Sequence, residues 1–199
     1  TDLPKHYDFF LPWAGMEKMQ HQDENPADVK AAEKMAKLFD KIKEDNPDDS
    51  PEFIHGLNVF LSRLLFCFFA EDTNIFTATE NQFTSNIDSH TQPDGSDLHS
   101  YLASLFKVLN TPESDRQGLP DYLKEFPYVN GELFSKEHQI PVFKTKSRQA
   151  IIDSGTLDWS SINPDIFGSM FQAVVGETER GSLGMHYTSV PNIMKVIKP

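Results

Sequence analysis

Glu52-Phe-Ile-His55 has the spacing at which a carboxylate and an imidazole leave one face of a helix, as in carboxylate-bridged di-iron sites. Such a centre needs a second copy of the motif, and the sequence has none; the alternative is a glutamate at a helix start beside a surface or half-buried histidine. The seven histidines, His6, His21, His55, His90, His99, His138 and His186, include no pair at the spacing of a zinc motif. Cys67 is the only cysteine, so no internal disulfide can form. It lies among Leu65, Phe66, Phe68 and Phe69, where a thiolate would be poorly solvated, and it reads as packing rather than as a nucleophile. Neither a phosphate-binding Gly-x-x-x-x-Gly-Lys-Ser/Thr loop nor a Gly-x-Gly-x-x-Gly turn occurs. The residues by themselves therefore assign no catalytic group and no metal site.

The elements that could position such residues are helices. Asn25 reads as an N-cap, Pro26 as a first helical residue, and Asp28 lies near the positive end of the helix dipole. Ala32, Met35, Ala36, Phe39 and Ile42 follow at three- and four-residue spacing, with Lys30, Glu33, Lys34, Lys37 and Lys41 on the other face. The turn formers of residues 45–50 end this helix. Pro51 opens a second, whose residues Phe53, Ile54, Leu57, Phe60, Leu61, Leu64, Leu65 and Phe68 cover most of the circumference, as in a buried core helix. A short stretch follows from Gln82 to Ile87, then a polar loop from Ser89 to Asp97. Leu98, Leu102, Leu105, Phe106 and Leu109 mark a third periodic helix, stopped by Asn110-Thr-Pro112.

Pro112, Pro120, Pro127 and Pro141 recur too often for long regular elements, so residues 111–143 read as an ordered connector. Helices are expected again from Lys146 to Asp153 and from Asn163-Pro164 to Val175. Alternating runs long enough for a sheet are missing. The fold class is therefore mainly α, an irregular multi-helix bundle with a Pro-rich connector and little or no sheet.

Charge and hydropathy narrow the function. With 30 acidic against 18 basic residues the formal charge is -12, and a polyanion such as DNA is on average repelled. The richest apolar run, Leu57 to Ala70, contains Ser62 and Arg63 and falls short of the roughly 18 apolar residues of a membrane span, so a soluble protein without a membrane partner is expected. A start without a basic, then apolar, leader points to the cytoplasm.

Five segments resemble, in order and spacing, the MmeI-like group of Type II restriction-modification enzymes. They are Phe10-Leu-Pro-Trp-Ala-Gly-Met-Glu17, Leu57-Asn-Val-Phe-Leu-Ser-Arg-Leu-Leu-Phe-Cys-Phe-Phe-Ala-Glu-Asp72, Phe126-Pro-Tyr-Val-Asn-Gly-Glu-Leu-Phe134, Ile166-Phe-Gly-Ser-Met-Phe-Gln172 and Leu183-Gly-Met-His-Tyr-Thr-Ser189. Methyltransferases of phage-defence systems share similar text. The resemblance implies one polypeptide that joins a nuclease, a helical spacer and a class I DNA adenine methyltransferase. Residues 1–175 would be the helical spacer, with its irregular connector at 111–143, and residues 176–199 the truncated start of the methyltransferase domain.

Gly184-Met-His-Tyr-Thr-Ser189 is similar to the motif that opens the catalytic domain of such methyltransferases and contacts the methionine end of S-adenosyl-L-methionine. The resemblance assigns Gly184, His186, Tyr187 and Thr188 to the cofactor, in the full-length parent only. A glycine turn before a Ser-capped helix suits that chemistry, because it offers free N–H groups to a carboxylate. The plainer alternative is an N-cap at Ser189 beside a packed Tyr187.

The family's adenine-methylating tetrapeptide is missing: Asn25-Pro26, Asn46-Pro47 and Asn163-Pro164 are followed by Ala or Asp. So is the nuclease signature, an Asp followed by Glu-x-Lys. The expected role is thus a connector between nuclease and N6-adenine methyltransferase, reaching DNA through the parent and not catalytic alone. A stand-alone acidic helical protein-interaction module and a small helical enzyme around Glu52 and His55 are the competing readings.

Overall fold

A computed structural model describes residues 26–129, 131–136 and 138–163, and within them every regular element is helical. The expected cap at Asn25, the helix beyond Asn163 and the glycine-rich segment after Gly176 lie outside the described residues. Helix α1 spans Pro26–Asp45 and α2 spans Pro51–Asp72. The Ser50 hydroxyl caps α2 by accepting from the Phe53 N–H at 3.3 Å, and Pro51 occupies the first turn, where its missing N–H leaves no gap. Then come α3 (Gln82–His90), α4 (Leu98–Leu109), the single turn α5 (Asp121–Lys124) and α6 (Thr145–Ser154). Short 3-10 turns occupy Glu113–Asp115 and Trp159–Ser161.

Helix α2 is the centre of the body. It packs on α3 and on the turn at Trp159, while α1 packs on α6, α6 on α3, and α4 on α5. By length and composition α2 could cross a membrane, but 67% of its most apolar window is buried inside the body, as in the core helix of a folded domain. Aromatic rings fill the space around it. Phe68 stacks on Trp159 at 5.3 Å, and Phe60 meets Phe106 and Phe143. Phe76 meets Phe126 edge-on at 5.1 Å. Each such pair contributes about 0.5–1.5 kcal/mol beyond the area it buries.

Three expectations need correction. The buried stripe of α1 is Ala31, Met35, Leu38 and Ile42; Ala36 is exposed, and Ala32 and Phe39 are only partly buried. Two overlapping apolar stripes run along this helix, and the one containing Leu38 faces α6. Helix α3 continues to His90 instead of ending near Ile87, because its last turn is held by a side chain from α6 described below. The polar loop expected from Ser89 accordingly begins after His90, and its first residue, Thr91, is buried, its hydroxyl donating to the Ile87 carbonyl at 2.6 Å.

Candidate functional site

Residues 46–50 join α1 to α2, and their sequence, rich in Asp, Asn and Pro, would suit a flexible link. Side chains at its α1 end instead tie this turn to residues 142–147. Asn46 pairs with the backbone of Val142, its Nδ2 donating to the Val142 carbonyl at 2.8 Å and its Oδ1 accepting from the Val142 N–H at 2.9 Å. One carboxylate oxygen of Asp45 accepts from the Lys144 N–H at 3.0 Å and from the Ser147 hydroxyl at 2.6 Å. The Lys144 ammonium lies 3.5 Å from the other. Lys43 Nζ donates to the Asp48 carbonyl and the Asp49 carboxylate, both at 2.6 Å, and sits 5.4 Å from the centre of the Phe53 ring. The Asp28 carboxylate, at the other end of α1, accepts from the Asn163 N–H at 3.0 Å. Helix α1 is thereby fixed at both ends.

Three arginines hold irregular backbone in the same way. Arg63 leaves α2 and donates to the carbonyls of Leu133 at 2.9 Å and Lys136 at 2.5 Å, its guanidinium over the Phe106 and Phe134 rings. Burial lowers its pKa. Arg116 gathers the carbonyls of Thr111, Val108, Lys124 and Phe126. Arg148, on α6, donates to the carbonyls of Ile87, Asp88 and Thr91 and to the Thr91 hydroxyl, satisfying the C-terminal end of α3. A guanidinium has five donors in a fixed fork, so each arginine can bind several carbonyls that no regular element pairs.

Glu71, near the end of α2, accepts from the Thr84 N–H at 2.9 Å and the Thr84 hydroxyl at 2.6 Å. Burial raises its pKa to about 7 against the lowering effect of those bonds. Gly155 closes α6 so near Thr84 that a Cβ there would collide with the threonine hydroxyl. Asp72 accepts from the Trp159 N–H at 2.6 Å, and burial raises its pKa as well. The carboxylates of Glu71 and Asp72 and the guanidinium groups of Arg63, Arg116 and Arg148 thus bond chiefly to backbone.

The residues singled out from sequence fare differently. Glu52 and His55 are both exposed, and His55 meets His138 edge-on at 5.6 Å between ring centres. Among the described residues no group of three His, Cys, Asp or Glu side chains is placed to hold a metal. Cys67 is fully buried, and burial pushes its thiol pKa up. Arg148, although it follows Lys144 and Lys146 in the sequence, is buried, because the unpaired carbonyls of α3 draw it inside. Gly184, His186, Tyr187 and Thr188 lie outside the described residues. The arginine anchors have one sequence signal, a charged residue inside an apolar run, as Arg63 is within Leu57 to Ala70. Arg116 and Glu71 carry none.

Comparison with known proteins bears on both sides of the clamped turn. Residues 1–45 match the family model "MmeI, N-terminal domain", and residues 55–134 match "MmeI, helicase spacer domain". Across all 199 residues the chain is 55% identical to DNA methyltransferase A of Bacillus subtilis strain 168, covering 22% of that protein. Over 154 residues, 65% of this chain and 13% of the relative, it is 29% identical to a putative type II restriction enzyme and methyltransferase of Methanocaldococcus jannaschii. A solved structure of the Type IIL restriction-modification enzyme MmeI in complex with DNA superposes with a TM-score of 0.69 at 47% identity, over 86% of this chain and 22% of that one. The chain thus spans about a fifth or less of the length of these relatives. With N-terminal-domain sequence ending at the last residue of α1 and spacer sequence beginning within α2, the chain belongs to the MmeI-like restriction-modification family.

Proposed function

We propose that the chain is the rigid joint of a longer restriction-modification protein, holding an N-terminal nuclease at a fixed distance and angle from an N6-adenine methyltransferase. The observation that carries this reading is the clamp formed by Asp45 and Asn46 on the turn after α1, which lies between the end of one family match and the start of the other. A flexible link would need none of those bonds. The work is mechanical: α1 transmits the orientation of what precedes it to a block whose irregular parts are pinned by Arg63, Arg116 and Arg148. The longer protein acts in the cytoplasm and reads the sequence of the DNA that lies along it through its other domains.

Inserting a Gly-Ser stretch between Pro47 and Asp49 of the longer protein tests the reading. Adenine methylation should persist while the positions of strand cleavage, measured from the recognition site, spread over several base pairs. Cleavage positions as sharp as in the parent would contradict the joint.

In the same protein, residues 176–199 begin the methyltransferase domain, and Gly184, His186, Tyr187 and Thr188 contact S-adenosyl-L-methionine. The cofactor would supply the methyl group, and these residues would hold its methionine end. Thr188→Ala or His186→Ala should weaken cofactor binding by about 1–3 kcal/mol in calorimetry on the longer protein. Unaltered binding in both variants would remove these residues from the pocket.

A further inference from the structure

Among the described residues, the lysines of α1 form a basic row against the acidic balance of the chain. Lys30, Lys34, Lys37 and Lys41 leave α1 within about 60° of one another at 100° per residue, along a line of about 16 Å. Lys146, from the first turn of α6, faces this row across a shallow cleft of about 420 Å³ lined by Lys34, Lys37, Lys41, Lys146, Gln149 and Asp153. Asp153 is the single acid in the lining, and Gln149 donates to its carboxylate at 2.9 Å. Lys34 donates to the Asp153 carbonyl, and Lys41 pairs with Glu44 at 2.6 Å. Lys37 and Lys146 are exposed and have no acidic partner among the described residues.

We infer that this cleft between α1 and α6 receives the sugar-phosphate backbone of duplex DNA, without reading its sequence. The inference rests on the joint reading only in taking DNA to lie alongside this block. Charge complementarity carries it. A chain of net charge -12 repels a polyanion over most of its surface, so a phosphate strand can approach where four lysines converge on one acid. The chemistry of the lining selects the form of the ligand. It includes no aromatic ring, whereas single strands are held by stacking bases on such rings. It offers no deep apolar pocket of the kind that anchors a peptide side chain, since Ala150 is its one apolar residue. It presents no array of forked donors that could read base edges, so the contact is to phosphates and independent of sequence.

The test is fluorescence anisotropy of a labelled duplex titrated with this chain between 25 and 150 mM salt, with two triple variants that change net charge equally. One replaces the cleft lysines (Lys37→Gln, Lys41→Gln, Lys146→Gln), the other distant ones (Lys107→Gln, Lys124→Gln, Lys136→Gln). Circular dichroism verifies that both fold. The parent chain should bind weakly at low salt. The cleft variant should lose at least ten-fold in affinity, and its slope of log affinity against log salt should shrink by about 2 to 3, near 0.9 per phosphate contact removed. The distant variant should keep both values close to the parent's. No duplex binding at the lowest salt, equal losses in the two variants, or tighter binding of a single strand or of a polyglutamate peptide would each overturn the proposal. None of these outcomes touches the joint reading, which stands or falls on cleavage positions.

Discussion

Glu71 shows how one buried carboxylate can shape the pH response of the whole chain. Its folded pKa of about 7 lies above its ordinary 4.5, so the native state holds the proton more tightly than the unfolded chain does. This contribution is complete below pH 4.5 and is lost as the pH rises through 7. Relative to Glu71→Gln, which does not titrate, the parent should therefore lose stability between these values, by up to about 3 kcal/mol. Urea unfolding of both proteins across this range measures the gap; parallel curves would contradict the account. Gly155 supplies the neighbouring test. Its φ of -68° suits any residue, so the reason for a glycine is space beside Thr84 rather than backbone freedom. Gly155→Ala should destabilise by about 1–3 kcal/mol and should cost less in a Thr84→Ala background, where the colliding hydroxyl is gone. An equal cost in both backgrounds would show that the glycine serves another purpose.

At the scale of elements, α2 governs stability. Leu64 is fully buried in its middle, and Leu64→Ala should cost about 2–5 kcal/mol and markedly lower the melting temperature. His55→Ala, on the exposed face of the same helix, should stay within about 0.5 kcal/mol of the parent. A thermal melt on each variant decides, and an unchanged Leu64→Ala curve would displace the core from α2. This helix and α4 are legible in the sequence because their apolar residues recur with one dominant period and their ends carry Ser50-Pro51 and Asn110-Thr-Pro112. The inner face of α1 is less so. Ala31 and Leu38 compete with Ala32, Ala36 and Phe39, and only the position of α6 selects between them. The clamp itself is hidden from sequence, since Asn46 and Val142 are 96 residues apart and an Asn-Pro pair reads locally as a turn. Arg148 misleads for a related reason: beside Lys144 and Lys146 it looks like part of a basic surface, until the open carbonyls of α3 are known.

On the scale of the whole molecule, the account holds that α1 belongs to the same cooperative block as α2, although the two carry sequence of different family domains. Packing of Ala31, Met35, Leu38 and Ile42 toward α6, and the bonds from Asp45 and Asn46 to residues 142–147, give the physical basis. Regions that open together exchange their amide hydrogens with one free energy, whereas a loosely attached helix exchanges through a cheaper local opening. Native-state hydrogen exchange on this chain, followed residue by residue at low denaturant, is the most direct measurement. The account predicts that the interior amides of α1, from Ala31 to Ile42, merge with those of α2 into a single opening at the global unfolding free energy. Exchange of the α1 amides at a free energy several kcal/mol below that of α2, insensitive to denaturant, would mean that α1 swings independently and that the chain is a hinge rather than a joint.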